Sequence, residues 1–194
     1  MTDKKVNINN FIGVYDNAIN SKSCKQIIDW FEENRTRQFR GRYFADGEVK
    51  YDKTIKDSTD IEMNLNERDL LPNFMLSQVL EWYSIRYFET YRSVWIIDKF
   101  FTDCGYNLQR YYPGQGYPCK HCENSCSGNN RVMAWTIYLN TVEDGGTYYN
   151  EYDKTIDAVE GRLVIFPAFW THTHQGIISN TKTKYIATGW YIYE

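Results

Sequence analysis

The chain lacks the features that would place a protein in a membrane or on a nucleic acid. No apolar run approaches the roughly 20 residues needed to cross a bilayer. Residues 1–8 carry charge but no apolar core of a secretory signal. The formal net charge is only -3, which gives no excess of positive charge for polyanions or anionic lipids. We therefore expect a cytoplasmic protein with no nucleic acid and no membrane among its partners.

Cysteine and histidine are scarce as well, with five and three residues. An odd number of cysteines cannot pair completely within one chain, and in a reducing compartment we expect thiols or metal ligands rather than disulfides. Neither an internal repeat nor a low-complexity linker divides the 194 residues. That length is typical of one domain, which we expect to span 1–194.

Aromatic side chains are abundant, at 17% of all residues, and they favour β-structure. The first half of the chain nevertheless shows helical spacing. Ser23 and Gln26 form an S-x-x-Q capping box, and the apolar residues behind it repeat along one helix face: Cys24, Ile27, Ile28 and Phe31. A second amphipathic helix is predicted after Pro72, to about residue 92. The polar segment 42–60 between these helices predicts a strand and a loop.

The second half of the chain predicts short strands separated by turn residues. The strands are expected at 106–112, 133–140, 162–166 and 184–193. A turn is expected at 113–116, and Asp144-Gly-Gly146 predicts a tight turn. Short strands separated by turn residues in this way are typical of a β-barrel or sandwich, with the helices packed outside it. The fold class is therefore α+β and mainly β.

All three histidines lie in patterns that could bind a metal. His121 and Glu123 form an H-x-E, and His172 and His174 are also separated by one residue. In an extended strand, residues i and i+2 point to the same side, so each pair could reach one ion. Two imidazoles and a carboxylate are the ligands of a non-haem Fe(II) site with open positions. Lys184, ten residues after His174, could hold the acid end of an organic cosubstrate.

A zinc site is the main alternative from the same segment. Cys119, Cys122 and Cys126 form a C-x2-C-x3-C pattern around His121, and three sulfurs with one imidazole can bind zinc. His121 lies between the paired cysteines, however, which strains simultaneous tetrahedral binding. A second C-x2-C or H-x3-H pair is missing from the sequence. Thiols on a loop beside the iron are the preferred interpretation.

The segment 107–190 resembles the catalytic domain of the 2-oxoglutarate/Fe(II)-dependent dioxygenases, in particular the prolyl 4-hydroxylase-like branch. The matching motifs, in order, are Gln109-Arg-Tyr-Tyr-Pro-Gly-Gln-Gly-Tyr117, His121-Cys-Glu123, Arg131, Tyr138-Leu-Asn140, Gly145-Gly-Thr147, Gly161-Arg-Leu-Val-Ile-Phe-Pro167, Thr173-His174 and Lys184-Tyr-Ile-Ala-Thr-Gly-Trp190. The resemblance implies a double-stranded β-helix, a cupin-like jelly roll. Residues 101–194 would form its catalytic core, and residues 1–100 the supporting helices and first strands.

By this resemblance, His121, Glu123 and His174 would be the iron ligands. His174 is preferred over His172 because the family's cosubstrate cation follows its distal histidine by ten residues, which fits Lys184. His172 would then orient Glu123 or a water, or gate the pocket. The usual acid of the family is aspartate, so Glu123 is a departure that adds one methylene.

The resemblance also implies the binding residues for 2-oxoglutarate. Lys184 would pair with the distal carboxylate, Tyr138 would donate its hydroxyl to the same group, and Tyr111 would line the pocket. Tyr112 competes with Tyr111, because Tyr117 lies four residues before His121 rather than the usual three. Alternation along the last strand turns three of its residues toward the barrel interior: Lys184, Thr188 and Trp190.

The activity implied is hydroxylation of an unactivated C–H bond with release of succinate and CO2. The cofactors would be Fe(II) and 2-oxoglutarate, with ascorbate as a candidate reductant. The partners would be O2 and a peptide or small-molecule substrate, among which a peptidyl proline stands first. A non-catalytic cupin-like binding module is the competing hypothesis, but it should have lost at least one of the ligands, Lys184 or Tyr138. The loop 124–130 is a candidate for substrate contact and the segment 42–60 for a lid.

Overall fold

Antiparallel strands dominate the structure, as the aromatic-rich sequence predicts. The computed structural model describes residues 6–45, 47–64, 66–93, 100–124 and 130–193. The helices are α1 (Ser21–Glu33) and α2 (Leu71–Thr90). The strands are β1 (Val6–Asn9), β2 (Ile12–Tyr15), β3 (Phe39–Arg40), β4 (Tyr43–Ala45), β5 (Glu48–Lys50), β6 (Thr59–Asn64), β7 (Phe100–Tyr111), β8 (Arg131–Tyr138), β9 (Val142–Tyr149), β10 (Lys154–Ala158), β11 (Leu163–Pro167), β12 (His174–Gly176) and β13 (Lys184–Tyr193).

The strands form a large sheet, a small sheet and a hairpin. The large sheet has eight strands in the order β1-β2-β11-β8-β13-β7-β6-β3, and the small sheet has the order β10-β9-β12. Strands β4 and β5 pair only with each other. Because β13 lies between β8 and β7, both of its edges are hydrogen-bonded. This arrangement is the double-stranded β-helix, and the predicted fold class is confirmed.

Alternation along the central strands separates a helix-covered core from the interior between the sheets. On β8, Met133, Trp135 and Ile137 pack into the core that contains the two helices. The residues between them turn the other way, and Ala134 and Tyr138 pack with strands of the small sheet. The same period of two on β7 and β13 gives each strand one face for stability and one for a cavity.

Helix α1 covers the large sheet with the apolar face that its sequence predicts. Cys24, Ile27 and Phe31 are all buried in the helix-covered core. The predicted capping box is wrong, because the helix begins at Ser21, three residues earlier than an N-cap at Ser23 would allow. The side chain of Asn20 accepts a hydrogen bond from the Ser23 amide at 2.9 Å and caps the helix instead.

The predicted tight turn at 144–146 is also wrong, because all three residues lie within β9. Gly146 adopts a φ of 115°, which is costly for a residue with a side chain. A Cβ there would lie 2.5 Å from the carbonyl oxygen of Ile156 on the neighbouring strand. The register of β9 and β10 is irregular after this point, between Ile156 and Ala158. Glycine here permits close strand approach beside a β-bulge rather than a chain reversal.

Neither helix among the described residues has the length and apolarity that a bilayer crossing requires. The predicted boundaries of the last strand, 184–193, are confirmed. The predicted strand 106–112 is longer at its start, because β7 begins at Phe100.

A partly buried ion pair joins α1 to the large sheet. Arg110 on β7 is 8% exposed, and its Nη1 lies 2.7 Å from both carboxylate oxygens of Glu32. The hydroxyl of Tyr185 on β13 donates a third hydrogen bond to Glu32, at 2.8 Å. We expect Glu32→Gln to lower the free energy of unfolding by about 2 kcal/mol, because it leaves a buried guanidinium without its acid. Urea denaturation followed by circular dichroism measures the effect.

Asp29 on the same helix provides the matched control. Its ion pair with Lys25 spans 2.6 Å, but both side chains are at least half exposed. Exposed pairs of this kind contribute about 0–1 kcal/mol, so Asp29→Asn should change the unfolding free energy by less than about 0.5 kcal/mol. Equal losses in the two variants would contradict a stabilising role for Glu32 beyond that of any surface acid.

Candidate metal and cosubstrate site

Main-chain pairing brings two of the three histidines together. His121 and His174 form an isolated antiparallel bridge, in which the amide of each donates to the carbonyl of the other, at 3.0 and 2.8 Å. His121 does not lie in an extended strand of the kind from which its shared direction with Glu123 was expected, since the bridge is a single residue pair. The bridge nevertheless sets the two imidazoles side by side, with ring centroids 4.4 Å apart.

Hydrogen bonds from the outer ring nitrogens orient both imidazoles toward Glu123. Nδ1 of His121 donates to the carbonyl of Cys119 at 2.8 Å, and Nδ1 of His174 donates to the carbonyl of His172 at 2.9 Å. Each Nε2 then faces Oε1 of Glu123, at 3.7 Å for His121 and 3.3 Å for His174. The three donor atoms lie within 4.8 Å of one another. Two imidazole nitrogens and one carboxylate oxygen fit the donor set of a ferrous ion.

The electrostatics of the cluster favour the protonation states that bind metals. Burial and the neighbouring His174 lower the pKa of His121, which favours the neutral imidazole. Burial alone would raise the pKa of Glu123, but its interactions with His121 and His174 hold it well below its usual value. A neutral imidazole at His121 and an ionised carboxylate at Glu123 are the forms in which these groups bind a metal.

The second oxygen of Glu123 is held by groups on two central strands. Nε1 of Trp190 on β13 donates to Oε2 at 2.7 Å, and Nη1 of Arg131 on β8 lies 3.6 Å from the same atom. The guanidinium of Arg131 also stacks on the indole, 3.4 Å from the ring centroid. The inward direction of Trp190 agrees with the alternation predicted for β13. No sequence pattern indicated that Arg131 would reach Glu123.

Lys184, the first residue of β13, lines the same cavity. It is 4% exposed, and its Nζ donates to the carbonyl of Ile177 at 2.8 Å and lies 5.3 Å from the centre of the Tyr111 ring. Burial lowers the pKa of Lys184 from 10.5 to about 8, against the opposing effect of Asp144. The ammonium keeps two further N–H groups for an acceptor in the cavity. A carboxylate is the partner that would best offset its burial.

Tyr111 and Tyr138 both line the same cavity. The hydroxyl of Tyr138 lies 2.7 Å from that of Thr147, and the hydroxyl of Tyr111 donates to Oε1 of Gln109 at 2.8 Å. Tyr112, the alternative to Tyr111, is 47% exposed and follows the end of β7. The alternation of β7, which turns Gln109 and Tyr111 to one side, explains why the first tyrosine faces inward.

The structure adds a buried ion pair to this wall of the cavity, which the sequence had not indicated. Nζ of Lys56 lies 2.7 Å from Oδ2 of Asp60, and both side chains are at most 6% exposed. Gln109 donates to the same oxygen at 3.2 Å, which links the ion pair to Tyr111 through one amide. Lys56 lies in the segment 42–60, where irregular polar sequence gave no period from which to predict an inward side chain.

One cavity of about 840 Å³ contains the whole predicted set. Its lining includes all six predicted residues: His121, Glu123, His174, Tyr111, Tyr138 and Lys184. The β4–β5 hairpin contributes to the rim, where Phe44 and Val49 are about half exposed. The hairpin belongs to the segment predicted as a candidate lid.

His172 does not orient Glu123, in contrast to one prediction. It is buried and directed away from the acid, toward the N-terminal strands. Its Nε2 donates to the carbonyl of Asn10 at 2.9 Å, and its Nδ1 lies 2.9 Å from the hydroxyl of Thr171. The 3-10 turn at 170–172 breaks the strand that would have put His172 and His174 on one side.

The cysteine pattern shows no zinc geometry in the part of the chain that the structure describes. Cys119 is exposed and Cys122 half buried, whereas the Nε2 of His121 faces Glu123. The only group of potential metal ligands among the described residues is His121, Glu123 and His174. Cys126 and most of the predicted loop 124–130 lie outside the described residues.

Comparisons with known proteins find a matching family model and solved structures of similar fold. Residues 106–192 match the family model of the 2OG-Fe(II) oxygenase superfamily. No curated protein sequence matches the chain.

Three solved structures are similar over most of the chain. The viral collagen prolyl hydroxylase of Paramecium Bursaria Chlorella virus-1, in complex with 2OG, has a TM-score of 0.66 at 16% identity and covers 94% of this chain and 96% of its own. A prolyl-4-hydroxylase of Pseudomonas putida has a TM-score of 0.65 at 14% identity, with coverage of 95% and 93%. A prolyl hydroxylase of Trichoplax adhaerens, in complex with a hypoxia inducible factor peptide fragment, has a TM-score of 0.71 at 17% identity, with coverage of 95% and 84%. At these identities the likeness concerns the fold.

Proposed function

We propose that this chain, whose residues 106–192 match the family model of the 2OG-Fe(II) oxygenase superfamily, belongs to that superfamily and hydroxylates an unactivated C–H bond of a peptide at the cavity described above. The observation that carries the proposal is the joint presence, in one cavity, of an acid–imidazole cluster and a buried ammonium. A structural or binding module has no need of both. The chain would work as one oxygenase domain, with residues 1–100 supporting residues 101–194.

His121, Glu123 and His174 would hold the ferrous ion through two nitrogens and one oxygen. Ferrous iron chelated by 2-oxoglutarate activates O2 for hydroxylation of a C–H bond, with release of succinate and CO2. The carbonyls that accept from each Nδ1 keep the imidazoles in the tautomer that can bind the ion. The three ligand residues line the same cavity as Lys184, so an organic cosubstrate held by Lys184 would share that cavity with the ion.

Lys184 would pair with the distal carboxylate of 2-oxoglutarate. Its ammonium is buried, and its remaining donors have no acid of the chain within ion-pair distance among the described residues. Tyr138 would add a hydroxyl, which Thr147 now holds at 2.7 Å, and Tyr111 would form the aromatic wall beside the ammonium. Together these groups would fix the cosubstrate at the end opposite the metal and exclude water from its length.

A peptide is the favoured substrate class because of the shape and chemistry of the rim. The β4–β5 hairpin presents half-exposed Phe44 and Val49 to the cavity, and exposed Tyr51 follows it directly. Exposed apolar side chains beside a cavity are typical of a protein or peptide contact. The similar hydroxylases, one of them in complex with a peptide fragment, make a prolyl residue the first candidate target. The segment 42–60 would close over it.

One assay tests this proposal directly. Purified protein is incubated anaerobically with Fe(II) and 2-oxoglutarate, O2 is admitted, and succinate is measured with and without proline-containing peptides, free amino acids and ascorbate. We expect slow succinate formation without substrate and an increase of at least about tenfold with the right peptide, since bound substrate completes the site. The mass of the peptide should rise by one oxygen atom.

The other hypotheses give different outcomes in the same assay. A non-catalytic module would form no succinate under any condition. A zinc protein would bind Zn(II) through its thiols and lose that binding on alkylation, without any requirement for Glu123. If a free amino acid rather than a peptide stimulates succinate formation, the substrate is a free amino acid, and the proposed reaction is unchanged.

A further inference from the structure

The acid of the metal cluster is supported by an unusual pair of contacts at its outer oxygen. Trp190 donates to Oε2 of Glu123 at 2.7 Å, and Arg131 lies 3.6 Å from the same oxygen while its guanidinium stacks on the indole. The opposite oxygen, Oε1, is the one that faces the two imidazoles. The two carboxylate oxygens of Glu123 therefore have different surroundings. Oε1 is directed at the candidate metal position, and Oε2 is directed at side chains of the large sheet.

A β-bulge aims Arg131 into this position. Along β13 and β8, Tyr191 pairs with Met133, but Ile192 pairs with Arg131, so Val132 has no partner on β13. Val132 and Met133 both pack into the helix-covered core, and Arg131 turns to the cavity side together with Trp190. Regular alternation from Met133 would have put Arg131 on the helix side, so the bulge specifically brings a cation to Glu123.

We propose that Trp190 and Arg131 are positioning residues for Glu123, which hold its outer oxygen so that the acid binds iron through Oε1 alone. This inference rests on the proposed function. The proposal explains how a glutamate can act as the metal-binding acid, although the family that this chain resembles usually has the shorter aspartate. The additional methylene gives the glutamate side chain more conformational freedom, and the contacts with the indole N–H and the guanidinium restrict that freedom. A carboxylate that bound through both oxygens would occupy a position needed by the cosubstrate or O2.

The indole contact is the stronger of the two. A hydrogen bond from N–H to an ionised acceptor is charge-assisted and short, as the 2.7 Å distance indicates. Arg131 lies farther from the acid and keeps part of its side chain in contact with solvent. Its stacking fixes the plane of the indole and thus the direction of the N–H. We therefore expect Trp190 to contribute most of the restraint on the Glu123 carboxylate and Arg131 to strengthen that restraint.

The test is a double-mutant cycle read out as metal affinity. Anaerobic calorimetry measures the Kd of Fe(II) alone for the wild type, Trp190→Phe, Glu123→Asp and the double variant. Trp190→Phe keeps the ring and removes the N–H, so we expect its Kd to rise about tenfold, within the range typical of groups that orient metal ligands. In the Glu123→Asp background the same change should raise the Kd less than about twofold, because the shorter acid no longer reaches the indole. Trp190→Phe should shift the visible absorption of the ferrous 2-oxoglutarate chelate in the glutamate background but not in the aspartate background.

Trp135 provides the matched control. It is a buried tryptophan on β8, and its Nε1 has no hydrogen-bond partner among the described residues. Trp135→Phe removes the same atoms from the helix-covered core, so it should lower the melting temperature while leaving the Kd of Fe(II) within about twofold of the wild type. A general loss of stability is thereby separated from a loss of positioning. If Trp190→Phe does not fold, Arg131→Met carries the same comparison with an expected rise of about threefold.

Two results would overturn the inference. One is a Kd for Trp190→Phe within about twofold of the wild type. The other is an equal loss in the glutamate and aspartate backgrounds, since the indole would then act through something other than Oε2 of Glu123. Glu123→Ala in the same titrations separates this failure from that of the proposed function. Iron binding that depends on Glu123 but not on Trp190 sinks only the positioning role, whereas a wild type that binds no Fe(II) sinks both.

Discussion

Replacement of Glu123 or His174 by alanine should abolish succinate formation from 2-oxoglutarate and weaken Fe(II) binding by more than about 100-fold. Each variant removes one of three donor atoms that lie within 4.8 Å of one another, whereas groups that only orient metal ligands are worth about 10–100-fold. Anaerobic calorimetry with Fe(II), followed by the succinate assay on the same preparation, measures both effects.

The remaining histidine and an exposed acid serve as controls for these variants. His172 hydrogen-bonds to Asn10 rather than to the cluster, and Glu143 is 68% exposed in an ion pair with Lys182. We expect His172→Asn to lower stability and Glu143→Ala to do little, with metal affinity kept within about twofold in both. Normal turnover by Glu123→Ala and His174→Ala would show that the ligand assignment is wrong.

The second large effect concerns the cosubstrate. Lys184→Ala should raise the KM for 2-oxoglutarate about 100-fold, because truncating one partner of a buried charge pair costs about 2–5 kcal/mol. At saturating 2-oxoglutarate, kcat should remain within about threefold, since the interaction lost is with a carboxylate remote from the reacting atoms. Initial rates of succinate formation over a range of 2-oxoglutarate concentrations separate the two parameters. An unchanged KM would contradict the cosubstrate assignment.

The pH dependence of kcat/KM for 2-oxoglutarate gives an independent check on Lys184. Its pKa of about 8 means that the ammonium is charged at pH 7 and mostly neutral at pH 9, so kcat/KM should fall about tenfold over that interval. Neither Asp144 nor Tyr138 titrates between pH 7 and pH 9, since the pKa of Asp144 is about 2 and that of Tyr138 is about 12. Lys184→Arg carries a cation that stays charged, so its profile should be flat.

The parts of the fold and site that follow from regular periods could be predicted from the sequence. Alternation from Lys184 onward gave both the bounds of β13 and the inward direction of Trp190. Helical spacing gave the buried face of α1, with Cys24, Ile27 and Phe31. Because each of these faces is decided by a local pattern of apolar residues, no long-range information was needed.

The parts that depend on irregular backbone could not be predicted. Arg131 faces Glu123 only because of a bulge on β8. Gly146 lies in a strand rather than a turn, and glycine is required there because the neighbouring strand passes too close for a side chain. His121 joins His174 through a single main-chain bridge rather than a strand. Lys56 reaches the cavity wall from a loop without any period. Contacts between distant segments decide all four, and a single sequence does not record them.

Strand β13 combines a face that packs in the core with a face that lines the cavity, within ten residues. It lies between two strands that are both hydrogen-bonded to it. Ala187 and Tyr191 are packed under the helices, while Lys184 and Trp190 line the cavity. The strand consequently has few positions at which a substitution would affect neither the packing of the core nor the cavity. Deleting or inserting one residue in its middle would slip the register and exchange the two faces, so folding and chemistry would be lost together. In this part of the chain, evolution can retune the reaction by substitution but hardly by changes of length.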